Sequence, residues 1–344
     1  NNLEALKAYI ESDETNIKEK ASSVQYNYNL NINLYKKDTS NGVVQVNPST
    51  VMNALGMEEM LNARENSSMG SMFGSSMTSM SNTDVWEEML DNEALLHSQY
   101  DLVAGNWPKN YNEVVLIVNE NNEISDYTLY ALGLKDQKEL EEKWNKVQNG
   151  ETVEETEPTS YTYDELLNLS FKLVLNSDYY EKENGLWIDK SDNEDYMKEL
   201  LNHCEDINIV GIIKQNEQSV ATGMSGGIGY TKALKEYVIH KTNEAEIVKE
   251  QKDNPDINVF TGLAFPDENA KTFDYSQLSS EQRARLAMLS TEELAKIMET
   301  YSNNANASYD GNLELLGAVD LDKPSSISIY PKDFDAKDSI TQEI

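Results

Sequence analysis

The sequence is poor in the residues that usually carry chemistry. Cys204 is the only cysteine among 344 residues, so no disulfide can form within the chain and no cysteine-rich zinc site can be built. Histidine occurs only at His97, His203 and His240, and no two of these stand at the helical spacing of a metal-binding pair. Long apolar runs are missing as well. The longest, residues 114–118 and 207–213, fall far short of the roughly 20 residues needed to cross a bilayer as a helix. Positive charge is scarce: 28 Lys and Arg stand against 61 Asp and Glu, a net charge of −33. Such a chain repels phosphate backbones and anionic headgroups, which disfavours both nucleic acid as a partner and adhesion to a lipid surface, and no nucleic-acid partner is expected.

What is present points to a mixed α+β chain large enough for more than one core. Residues 114–118, Val-Val-Leu-Ile-Val, read as a strand buried on both faces. A turn follows at residues 119–122, then a short helix capped by Ser125 or Asp126 and ended at Gly133, where the left-handed conformation suits glycine. Residues 207–213 predict a second buried strand. Val24, Tyr26, Tyr28, Leu30, Ile32 and Leu34 alternate with polar residues and predict one long half-buried strand. It continues through an Asn41-Gly42 turn into a hairpin with Val44 and Val46. Phe171 to Leu175 and Tyr237 to Ile239 read as further strands, and Ile327 and Ile329 as the last. Capping boxes are expected at Thr162 with Glu165, Ser191 with Glu194, Ser279 with Gln282, and Ser290 with Glu293. Residues 1–20 and the stretch holding Phe334, Ile340 and Ile344 have helical spacing.

Each candidate for chemistry fails on a residue or on the local setting its mechanism needs. His203 and Cys204 are neighbours on a predicted helix and point about 100° apart, so a buried structural thiol is expected there instead of a thiolate–imidazole couple. Gly223, Gly226, Gly227 and Gly229 follow a strand, but no Gly-Lys-Ser/Thr sequence closes a phosphate loop and Lys232 lies too far on, so a flexible loop is expected. Asp189, Ser191, Asn193 and Asp195 open like a calcium loop, yet Glu194 stands where glycine is needed and Leu200 where glutamate is needed. Gly223-Met224-Ser225-Gly226-Gly227 spells Gly-x-Ser-x-Gly, but the glycine segment is expected as a flexible loop and not as the strand-to-helix turn of a nucleophile elbow. Eight of the twelve methionines fall in residues 52–89, with pairs at Met57 and Met60, Met69 and Met72, and Met77 and Met80. Thioethers suit Cu(I), so a copper-handling domain is one reading, and adaptable apolar contact is another. The Gly and Ser around them predict that residues 66–83 are mobile. No catalytic, cofactor-binding or metal-ligating residue is assigned, and no enzymatic activity is expected.

Three segments taken in order resemble the extracellular, MacB-like domain of ABC transporter permeases of the Gram-positive kind. They are residues 100–134, YDLVAGNWPKNYNEVVLIVNENNEISDYTLYALGL; residues 207–230, INIVGIIKQNEQSVATGMSGGIGY; and residues 317–334, GAVDLDKPSSISIYPKDF. The resemblance implies two subdomains. One is a membrane-proximal base from residues 1–50 and 255–344, with Val24–Val46 and Ser325–Tyr330 in one layer. The other is a distal subdomain inserted at residues 83–245, with a Met-, Ser- and Gly-rich loop at 51–82 between them. It also implies a location on the extracellular face of the plasma membrane, with membrane helices before residue 1 and after residue 344. A separate ABC ATP-binding subunit and a second permease subunit are the implied partners, and export or release of an amphiphilic substrate (antibiotic, peptide or lipid) the implied function. The chain opens without Met and stops inside a helical pattern, which fits an excised segment. A secreted or surface-anchored ligand-binding, adhesin-like domain would share the acidity and the lack of cysteine.

Overall fold

The computed structural model describes residues 2–51, 85–152, 159–219, 223–224, 226–265, 279–295 and 307–344. The chain is α+β, with a mixed sheet and helices packed around it. It opens with α1 (Leu3–Glu11), α2 (Ile17–Lys20), β1 (Ala21–Asn27), β2 (Asn33–Lys36) and β3 (Gln45–Asn47). Next come β4 (Trp86–Glu88), α3 (Glu93–Gln99), β5 (Tyr100–Gly105), β6 (Glu113–Val118), α4 (Asp126–Ala131), α5 (Gln137–Gln148) and α6 (Tyr163–Leu167). The middle of the chain holds β7 (Ser170–Val174), β8 (Tyr180–Glu183), β9 (Leu186–Asp189), α7 (Glu194–His203), β10 (Glu205–Gln215) and β11 (Gly227–Tyr230). It closes with α8 (Lys232–Glu244), α9 (Glu246–Asp253), β12 (Ile257–Asn258), β13 (Leu263–Ala264), α10 (Ser280–Ala287), α11 (Tyr309–Leu315), β14 (Ser326–Pro331) and α12 (Phe334–Glu343).

Eight strands form the central sheet in the order β3-β2-β7-β10-β6-β11-β4, and β5 lies beside the second half of β10. β6 runs parallel to β10 and antiparallel to β11. The alternation of side chains along β6 gives the sheet its two faces. Val114, Leu116 and Val118 pack with Leu34, Phe171, Ile209 and Val238, while Val115 and Ile117 pack with Met89, Leu96, Tyr100 and Met224. Each of these fully buried aliphatic side chains contributes about 1.5–3 kcal/mol relative to exposure. β6 is thus covered on both faces, as its unbroken apolar run predicts. Gly227 begins β11 at φ +94°, and a Cβ there would sit 2.1 Å from the carbonyl oxygen of Val85, so glycine is required where β11 closes on the segment before β4.

Separate from this sheet, β1 and β14 form a two-stranded antiparallel ribbon in which Val24 faces Ile329 and Tyr26 faces Ile327. Its apolar face, Val24, Ile327 and Ile329, packs beneath Leu6, Tyr9 and Ile10 of α1, Ile17 of α2 and Ile340 of α12. The opposite face carries polar contacts: Asn27 Nδ2 donates to Ser326 Oγ at 3.0 Å and the Tyr330 hydroxyl to Gln25 at 3.0 Å.

Four expectations need correction. The alternating run from Val24 to Leu34 is two strands, since β1 ends at Asn27 and β2 starts at Asn33 in a different sheet. The alternation persists between them because Leu30 packs on the core and the Tyr28 hydroxyl bonds the carbonyl of Leu321. The layer joining Val24–Val46 to Ser325–Tyr330 is therefore not one sheet: only β1 pairs with β14, and β2 and β3 join the sheet of β6 and β10. Tyr237 to Ile239 lies within helix α8, where Leu234, Val238 and Thr242 form a buried stripe at helical spacing. The end of the glycine segment, Gly227–Tyr230, is a strand bonded between β6 and β4. Residues 52–84, which hold seven of the eight clustered methionines and the expected mobile stretch 66–83, lie outside the described residues.

Candidate functional site

The ribbon meets the central sheet at a buried ion pair. Along β4, Trp86 and Glu88 share a face; Trp86 sits in the core edge-on to Phe171 at 5.1 Å, so Glu88 is carried to the same side. Helix α8 begins at Thr231, whose hydroxyl accepts the Leu234 N–H, and helical spacing places Lys235 on its buried stripe. Lys235 Nζ reaches Glu88 at 2.6 Å and the carbonyl oxygen of Tyr26, on β1, at 2.7 Å. The two side chains are only 9% and 11% exposed, so the contact is nearly removed from water. Burial pushes the Glu88 carboxyl above its ordinary range, against the opposing hydrogen bond and charge of Lys235.

Further contacts hold the ribbon beside this pair. Asn92 Oδ1 caps α3 by accepting the Leu95 N–H, and its Nδ2 donates to the Ser22 carbonyl of β1 at 2.7 Å. Lys7 of α1 donates to the Leu321 carbonyl at 2.5 Å and stands 5.0 Å from the centre of the Tyr26 ring. At the far end of the ribbon, Lys20 pairs with Glu343 of α12 at 2.7 Å, and Thr15 donates to the same carboxylate. Bonds from Lys20, then Thr15, hold Glu343 below the usual carboxylate range. The outcome is a module of α1, α2, β1, β14 and α12 bolted to the sheet through one edge of β1.

A separate cleft of about 760 Å³ opens at the carboxyl end of β6, lined by Val118, Asn119, Ile124, Tyr127, Tyr161 and Tyr163 among others. Ser125 Oγ accepts the Thr128 N–H and caps α4 at its rim. Lys135, on the same rim, is paired with Asp126 at 2.8 Å. This mixture of aromatic and amide groups suits binding. Among the described residues, no group of three or more His, Cys, Asp or Glu side chains is placed to hold a metal.

The sequence candidates do not converge. His203 is exposed, with Nδ1 3.0 Å from the Glu199 carbonyl, whereas Cys204 packs with Tyr35, Val174, Met197 and Leu201 and its thiol is pushed up to about 12 by burial. His97 lies against Trp107, and His240 is on the surface of α8. Lys232, beyond the glycine segment, faces Asp91 and Glu236. Asp189 accepts the Ser191 N–H and Asn193 caps α7, so the calcium-like opening is a turn and a helix cap, and the cap is Asn193, not Ser191. The three methionine pairs lie outside the described residues. Lys235 and Glu88 were not singled out from sequence. A charged residue on the Leu234–Val238 stripe was the available signal, and reading residues 237–239 as a strand hid it.

No protein-family model matches the chain, and no curated protein or solved structure is similar enough to count as a match.

Proposed function

We propose that the chain is the extracellular domain of a Gram-positive ABC transporter permease, standing between two membrane helices on the outer face of the plasma membrane. One observation carries the reading beyond the sequence resemblance: α1 and α12 pack on the same face of one small ribbon, through Ile10 and Ile340, with Ile17 of α2 beside them. A domain entered from one membrane helix and left through the next needs its two end helices side by side. Movement of those helices would reach the central sheet through Lys235 and Asn92, the two side chains that grip β1. ATP would be hydrolysed by a separate nucleotide-binding subunit, a second permease subunit would complete the transporter, and the cargo would be an amphiphilic antibiotic, peptide or lipid. The MacB-like division into a base and an inserted distal subdomain belongs to this proposal.

The cleft beside α4 favours a second reading, a surface-anchored ligand-binding domain. Purification of the full-length natural protein from its own membrane separates the two. The permease reading expects a nucleotide-binding subunit to copurify. A protein recovered alone, held by a single anchor, would favour the second.

A further inference from the structure

The two edges of the β1–β14 ribbon differ. The Tyr26 carbonyl points away from β14, since it accepts Lys235 Nζ, and the Ser22 carbonyl accepts Asn92 Nδ2; the outer edge of β1 is thereby closed by side chains of the body. Asn27, next along, turns its carbonyl inward to the N–H of Ser325. In an antiparallel pair, opposed residues share the same sense. Ile327 faces Tyr26 and Ile329 faces Val24, so the N–H and C=O of Ile327 and Ile329 point outward from β14. The ribbon has two strands only, and among the described residues none is bonded to that edge.

An open edge is a template for another strand. Residues 326–331, Ser-Ile-Ser-Ile-Tyr-Pro, carry no charge in a chain of net charge −33, and so lack the charged side chains that commonly protect an edge. The segment is also self-complementary. A two-fold axis at Ser328 places Ile327 opposite Ile329 of a second copy, and both have outward groups, so four backbone hydrogen bonds form. The same register puts the apolar faces of the two ribbons on one side. Pro331, with no N–H, ends the pairing.

We propose that the outer edge of β14 pairs antiparallel with β14 of a second copy of this chain, joining two ribbons into a four-stranded sheet centred on Ser328. This inference does not rest on the permease reading. Sedimentation of the 344-residue chain tests it, together with S328K, which brings two ammonium groups face to face on the exposed polar side and leaves the β1–β14 ladder intact. Concentration-dependent dimerisation is expected, weakened about tenfold or more by S328K with an unchanged circular dichroism spectrum. In a C204S background, S328C is expected to form an intermolecular disulfide on oxidation, whereas S326C or Y330C alone should not, because each lies opposite the other in the pair. A chain that stays monomeric and does not cross-link through Cys at 328 would overturn the proposal. So would a dimer unaffected by S328K, or cross-linking that peaks elsewhere; the cysteine series decides should S328K fail to fold.

Discussion

Lys235 Nζ lies 2.6 Å from the carboxylate of Glu88 while donating to the Tyr26 carbonyl at 2.7 Å, so a single ammonium group joins helix α8, the edge strand β4 and the terminal ribbon. Removing one member of a buried pair leaves the other charged and desolvated. Lys235→Met is therefore expected to cost about 3–5 kcal/mol. Replacing both groups, as in Lys235→Met with Glu88→Leu, should recover most of that loss. Urea unfolding of the three variants gives the coupling; additive losses would show that the two side chains act independently.

The two ion pairs at either end of the ribbon respond to acid in opposite ways. The Glu343 carboxyl is held low by Lys20 and Thr15, so its stabilising effect is present above the unfolded carboxylate pKa of about 4.3 and is lost as pH falls through the lower folded value. Glu88 is raised by burial, so its protonated form is favoured in the fold and acid costs nothing there; that contribution declines as pH rises through the folded value. Amide exchange should thus show α12 loosening below about pH 4 before the β4–α8 contact does. Glu343→Gln should loosen α12 at neutral pH and flatten its acid dependence. Exchange in α12 that is the same at pH 3 and pH 6 in the native chain would contradict this.

Tyr100 bridges the backbone of one buried residue: its hydroxyl donates to the Met224 carbonyl at 2.9 Å and accepts the Met224 N–H at 2.7 Å. Tyr100→Phe keeps the ring and strands both groups, at an expected cost of about 1–3 kcal/mol in thermal or urea unfolding. A change under a few tenths would show that water replaces the hydroxyl.

Gly227→Ala forces a methyl against the Val85 carbonyl and places alanine at a positive φ. A loss of about 2 kcal/mol or more is expected, with β11 and β4 the first strands to exchange their amides. Wild-type stability would mean that the segment before β4 shifts freely.

The Cys204 thiol, pushed up to about 12 by burial, should react with a thiol reagent at pH 8 far more slowly in the folded chain than in urea. Equal rates would place it at the surface.

Local features were legible in the sequence because local residues determine them. The β6 run, the Ser125 cap, the Gly133 helix end at φ +67° and the boxes at Thr162 with Glu165 and Ser290 with Glu293 all form where their spacing puts them. Sheet membership was not legible. The alternation through Val24 to Leu34 records continuous burial, and nothing in it says that Val24 will face Ile329 while Leu34 faces Leu173. The junction was hidden differently: Lys235 stands on the Leu234–Val238 stripe, which reading residues 237–239 as a strand concealed, and its partner Glu88 is brought to it by long-range pairing. The methionine pairs fall outside the described residues and neither support nor weaken a copper reading.

In intact cells carrying the full-length natural protein, a cysteine placed at the exposed position Ser98 should be labelled by a membrane-impermeant maleimide from outside, while the segments flanking residues 1 and 344 should both be protected within the membrane. Labelling at Ser98 with both flanks embedded is the predicted result. A single embedded flank, none at all, or a Ser98 site reached only after lysis would contradict the account.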